Sequence, residues 1–132
     1  MALEVQLVSP ERILWSGEAE RVITRTAGGG EIAFLAGHAP FVGALDIGVT
    51  RVLPVDGQEL AVAVHGGFVE VSDDQVSILS DVAELSGDID VARAQTALDR
   101  AQGASPSEDE ADEVEAAARR AQARLDAAQH QS

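Results

Sequence analysis

Ser86-Gly87-Asp88-Ile89-Asp90-Val91-Ala92-Arg93-Ala94 is the stretch at which the apolar pattern of the chain changes period. Before it, apolar residues alternate as strands require: Leu3, Val5 and Leu7, then Val69 and Val71, then Val76 and Ile78, with β-branched runs at Val49 to Val55 and Leu60 to Val64. Turn signals separate these runs at Ser16-Gly17, Gly28 to Gly30, Gly37, Asp46 to Gly48, Asp56-Gly57, Gly66-Gly67 and Asp73-Asp74. Short strands at this spacing predict an antiparallel β-sandwich over residues 1–86, with about nine or ten strands in two sheets.

After it, Val91, Ala94, Leu98 and Ala101 follow the three-four-three spacing of a helix face. Asp88 reads as the N-cap and Asp90 as a first-turn anion. Gly103 to Pro106 ends this helix, and two overlapping capping boxes, Ser105 with Glu108 and Ser107 with Glu110, open a second. That helix places Val114, Ala118, Ala121, Leu125 and Ala128 on one stripe. Residues 87–132 therefore read as an antiparallel two-helix hairpin, and the fold class as mainly β plus α. The stripe is mostly alanine, so at roughly 25 cal/mol per Å² it gains only a few kcal/mol against a similar ordering cost. Such a hairpin is marginal alone and expected to be mobile.

Within the strand region, Gly28 to Gly30 form a loop feeding a strand at Glu31 to Leu35. Gly37 and Pro40 bracket His38, which is expected at a loop tip facing outward, and the next strand begins at or after Phe41.

The 132 residues carry 23 acids against 9 basic residues, a formal net charge of −14, which disfavours nucleic acid and anionic lipid as direct partners. All nine basic residues are arginines, whose planar guanidinium suits carboxylates and phosphates. There is no cysteine, hence no disulfide and no thiolate nucleophile. No stretch reaches the roughly 20 apolar residues of a membrane helix, and Met1 to Ser9 has no signal-peptide pattern, so a cytosolic chain is expected. His38, His65 and His130 lack metal-ligand spacing, and no metal site is expected. His65, ahead of Gly66-Gly67, reads as a satisfied strand-end side chain. The acidic run from Glu108 to Glu115 lacks the spacing and loop glycine of a calcium site, and reads as a solvated helix start. No nucleophile elbow is present.

The sharper constellation is Glu84, Asp90, Arg93 and Arg100. Asp90 and Arg93 are three apart, and Arg93 and Arg100 seven apart, so all three lie near one helix face. Two guanidiniums and a carboxylate there could hold a nucleotide, with Arg120 and Arg124 adding charge from the second helix. The same spacing also fits ordinary ion pairing on a solvated helix.

Taken in order, Leu3-Glu4-Val5, Trp15-Ser16-Gly17, Gly30-Glu31 to Gly37-His38-Ala39-Pro40, Gly66-Gly67-Phe68 and Ile89-Asp90-x-x-Arg93-Ala94 resemble the epsilon subunit of the bacterial F-type ATP synthase. The resemblance covers nearly the whole chain. It implies a non-catalytic rotor subunit of the central stalk, coupling proton-driven rotation of the c-ring to the catalytic head. Its implied partners are the gamma subunit, the polar loops of the c-ring and, through an extended hairpin, the alpha/beta hexamer. On this resemblance Glu31 falls at the c-ring contact and His38 at the gamma contact. A compact hairpin would bind ATP as a regulatory ligand through Ile89, Asp90, Arg93 and Ala94, with Glu84, Arg100, Arg120 and Arg124 as accessory positions. No cofactor is required, the isolated chain is expected to be monomeric, and its place would be peripheral, on the cytoplasmic face of the bacterial cell membrane. The alternatives are a free-standing β-sandwich binding module with a self-associating hairpin, and a small hydrolase using His38 or His65.

Overall fold

The computed structural model describes residues 2–129. Nine strands come first: β1 (Leu3–Val8), β2 (Ile13–Thr26), β3 (Gly30–Leu35), β4 (Phe41–Ala44), β5 (Ile47–Pro54), β6 (Leu60–His65), β7 (Phe68–Ser72), β8 (Gln75–Leu79) and β9 (Ala83–Leu85). A 3-10 turn, Ser86–Asp88, leads to α1 (Val91–Gln102) and α2 (Glu108–Gln129).

The β-sandwich and its nine strands are as expected, but the two expected sheets are joined. They form one hydrogen-bonded path, β4-β7-β8-β1-β2-β5-β6-β9, with β3 added to β2. The cause is β2, which is 14 residues long and serves both halves. Its first half pairs with β1 and its second with β3 along the same edge, while β5 pairs along the other. A register shift between Ala19 and Arg21 lies between the two halves. Every pairing is antiparallel except β1 with β8.

The halves close over one aliphatic core. Leu3, Val5, Leu7, Val69, Val71, Val76 and Ile78 from one side meet Val22, Phe34, Val52, Val62 and Val64 from the other. A hydrogen bond of 2.8 Å between the hydroxyls of Thr24 and Thr50 satisfies the two buried polar side chains opposed on β2 and β5. At the β6–β7 crossing the backbone comes so close that a Cβ on Gly67 would lie 2.0 Å from the Leu79 carbonyl oxygen, at a φ of +114°. Only glycine fits there.

The hairpin folds back against the outer face of β5 and β6. Asp90, not Asp88, caps α1: its carboxylate accepts a 3.0 Å bond from the Arg93 amide, while Asp88 ends the 3-10 turn. The turn displaces the helix start by two residues beyond the first acid. Of the two capping boxes, the Ser107 hydroxyl meets Glu110 Oε1 at 2.8 Å, and α2 begins at Glu108.

A single stripe on α2 was expected, and the helix uses two faces. Ala121 and Leu125, with Ala118 beside them, pack on Ala94 and Leu98 of α1. Ala123 and Ala127, with Ala128, pack on Ala61 and Ala63 of β6, on Ile47 and Val49 of β5, and on Ile89. Alanine on both sides lets helix and sheet approach closely, so the second face carries no large side chain that periodicity would reveal.

Candidate functional site

The docked hairpin encloses a cleft of about 700 Å³ lined by Glu84 of β9, Asp88 and Asp90 ahead of α1, Arg93, Ala94 and Arg100 of α1, and Arg124 of α2. Three separate elements therefore meet there. Glu84 is the hub: its Oε1 accepts from Arg124 Nε at 2.5 Å and from His65 Nε2 at 3.2 Å. The guanidiniums of Arg93 and Arg100 make no hydrogen bond or ion pair with any described residue. Asp90 spends one oxygen on the helix cap. Two free planar cations beside a Glu84 already paired with Arg124 suit an anionic ligand with phosphate oxygens.

His65 ends β6 as the strand-end reading has it, but it is satisfied at one ring nitrogen only, and its link to Glu84 was not foreseen. Its side chain is only 3 % exposed. Because Nε2 faces a carboxylate, Nε2 carries the proton, and Nδ1 is left buried with no hydrogen bond to a described residue. Burial pushes the imidazole below its ordinary 6.5, the Glu84 contact opposes this in part, and the nearby charges of Arg124 and Arg120 lower it further. The His65–Glu84–Arg124 chain thus ties β6, β9 and α2 together. Its sequence signal was faint: one imidazole at a strand end, with a partner acid 19 residues on.

The expected site residues divide. Glu84, Asp90, Arg93, Ala94, Arg100 and Arg124 share the cleft. Ile89 does not reach it, being buried between α2 and β6. Arg120 turns away from the lining and pairs with Glu113 at 2.6 Å along its own helix. Among the described residues no group of three His, Cys, Asp or Glu side chains could hold a metal ion. His130 lies outside the described residues.

Glu31 and His38 stand at opposite ends of β3. Glu31 is exposed, with its carboxylate 4.0 Å from Arg51. His38 differs from the outward expectation: it is half-buried, its ring edge-on to Phe34 at a centroid distance of 4.9 Å. Gly37 makes the bend, and its amide donates to Asp74 at 2.7 Å, pinning the loop to the β7–β8 turn. From this loop β4 runs into an outward stripe: Ala44, Phe68 and Leu79 stand in register across β4, β7 and β8, next to Val42. Val42 is 72 % exposed, Phe68 58 % and Leu79 44 %.

A sandwich that carries a docked hairpin, with an arginine cleft between the two and an apolar stripe on the opposite sheet half, defines a two-part binding protein. Residues 2–86 match the family described as ATP synthase, Delta/Epsilon chain, beta-sandwich domain. An ATP synthase epsilon chain of Streptomyces griseus is 42% identical over 123 residues, covering 93% of this chain and 92% of that one. A chloroplastic ATP synthase epsilon chain of Chaetosphaeridium globosum is 40% identical over 130 residues, covering 96% and 94%. Among solved structures, a chain of the Euglena gracilis mitochondrial ATP synthase, in an assembly of OSCP, F1 and c-ring, aligns with a TM-score of 0.84 and 27% identity, covering 98% of this chain and 82% of its own. A chain from the central stalk and c-ring of the Tetrahymena thermophila mitochondrial enzyme has the same fold, with a TM-score of 0.70 at 13% identity. The chain belongs to the ATP synthase delta/epsilon family and sits among its epsilon chains. No described helix is long and apolar enough to cross a membrane.

Proposed function

We propose that the chain is a non-catalytic rotor subunit of a bacterial proton-translocating F-type ATP synthase, peripheral to the cytoplasmic face of the cell membrane, whose hairpin senses ATP. The observation that carries the sensing role is the composition of the cleft. Its walls come from β9, α1 and α2, so it exists only while the hairpin is docked. A ligand that binds there must favour the docked state by its differential affinity for it. Arg93 and Arg100 would take phosphate oxygens, and the unpaired second oxygen of Glu84 would take a base amine or ribose hydroxyl. A released hairpin would present α2 to the alpha/beta hexamer.

The sandwich is the coupling piece. The apolar stripe of Val42, Ala44, Phe68 and Leu79, entered from the His38 loop, is the surface that would seat the gamma subunit. Glu31, at the far end of β3, would face the polar loops of the c-ring.

Calorimetric titration of the purified chain with ATP, with ADP as comparator, tests the sensing role. Arg93→Ala is expected to weaken ATP about tenfold or more, by loss of charge-assisted bonds to phosphate. Equal affinity of Arg93→Ala and the parent chain would remove the cleft from the account. His38→Ala, which strips a ring from the Phe34 contact at the entry to the stripe, is expected to lower affinity for gamma with the melting temperature little changed. Undiminished gamma binding would count against this docking face.

A further inference from the structure

The other flank of α2 borders a second groove, of about 480 Å³, between the helix and the outer face of β2 and β5. Of the nine arginines in the chain, three line the cleft already described and three others line this groove: Arg25, Arg51 and Arg119. In so acidic a chain the cations are thus gathered along both sides of one helix. The register places Arg25 and Arg51 on one face of adjacent strands. Ile23 of β2 stands opposite Arg51, so Arg25, two residues on, is its diagonal neighbour. Diagonal neighbours lie about 7–8 Å apart, within reach of each other's long side chains.

Neither of these two cations is well compensated. The Arg25 guanidinium makes no hydrogen bond or ion pair with a described residue, and its electrostatic partner is Asp46, whose carboxylate is bonded to Arg119. Arg51 has only Glu31, at 4.0 Å. The other carboxylates are already engaged: Asp46 pairs with Arg119, and Asp126 accepts from Gln122 at 2.9 Å. Burial opposes ionisation of Asp46, but the Arg119 and Ile47 hydrogen bonds with the charges of Arg119 and Arg25 outweigh it and hold its carboxyl below the ordinary value. Gly48 makes room for the arrangement. A Cβ there would stand 3.3 Å from Arg25 Cδ, so the missing side chain lets the arginine stem lie across β5.

We infer that this groove is a second oxyanion site, distinct from the cleft, in which Arg25 and Arg51 hold a compact, multiply charged phosphate-bearing anion of the diphosphate type against the flank of α2. A bridging anion relieves the repulsion between two like charges on one sheet face and replaces the long contact with Glu31. The groove is open, and the apolar residues of its lining, Ile47, Val49 and Ala123, are packed together under α2, so the phosphate groups are what it reads. The formal charge of −14 keeps an anionic bilayer at a distance, so the anion is a soluble one.

Inorganic pyrophosphate is the probe, titrated into the full chain at constant ionic strength so that screening is not mistaken for binding. Amide resonances of Gly48, Val49, Gln122 and Ala123 are expected to shift and saturate. The same shifts should persist in an Arg93→Ala/Arg100→Ala variant, which separates this groove from the cleft. Arg25→Gln/Arg51→Gln should weaken pyrophosphate about tenfold or more. Glu31→Gln, which frees Arg51, should tighten it. Absence of saturating shifts around Gly48, an affinity unchanged in the double arginine variant, or an affinity unchanged in Glu31→Gln would each overturn the inference.

Discussion

His65 shows how much one side chain can link. Its neutral form donates from Nε2 to Glu84 and hides a bare Nδ1. Protonation would turn that nitrogen into a buried donor with no acceptor and add a cation beside Arg124 and Arg120. The folded-state pKa is therefore below the 6.5 of the free side chain. A depressed pKa means that the unfolded chain binds more protons across the window, so stability rises with pH there. The contribution of His65 is complete above 6.5 and is lost as pH falls from that value through the lowered folded one. Urea midpoints should drop as pH falls below 6.5, and His65→Gln should flatten that slope. A parent chain with no slope in this window would contradict the assignment. The low pKa of Asp46 acts in a separate window, below its usual 3.8, so the two can be told apart. In Arg124→Ala the histidine loses a neighbouring cation, and its pKa, followed by ring proton shifts, should rise.

At the scale of elements, what the sequence disclosed followed from side-chain size. Large alternating residues such as Leu3, Val5 and Leu7 announced β1, and the change of period at Ser86 to Ala94 announced the hairpin. The cleft was legible because Asp90, Arg93 and Arg100 lie close in sequence on one helix. The double use of β2 was hidden, since pairing partners along one edge leave no mark on hydrophobic pattern. The second face of α2 was hidden for another reason: Ala123 and Ala127 look the same to periodicity whether they face sheet or solvent. That face gives a direct test of docking. Ala127 is fully buried against the sheet, so Ala127→Leu inserts three carbons where the helix and β6 have no slack. Overpacking of this kind costs about 1–3 kcal/mol. The expected result is faster hydrogen exchange through α2 with the amides of β1, β2 and β8 unchanged. Uniform loss of protection across the chain would mean that hairpin and sandwich unfold as one unit.

The whole molecule divides along the same line. The principal core draws every residue from the strands and the β4–β5 connection, and none from either helix. The hairpin covers only the outer face, at Ile47, Val49, Ala61 and Ala63, and adds the links from Arg119 to Asp46 and from Arg124 to Glu84. A chain ending at Asp88 keeps all nine strands and loses those outer contacts alone. It should unfold cooperatively in urea, with the strand signal of the parent retained. Loss of a cooperative transition would show that the sandwich depends on its helices. The two-part construction also fixes where a nucleotide acts. Binding in the cleft stabilises only states in which α1, α2 and β9 are together, by about 2.7 kcal/mol at a ligand concentration of 100 times Kd. Exchange from amides in α1 and α2 should therefore slow by about a hundredfold with saturating ATP, while global opening of β1 and β2 in the truncated chain should not respond at all. Slowing confined to the full chain and to its helices is what a docked-hairpin sensor requires. Protection that spread to the truncated sandwich would place the nucleotide elsewhere.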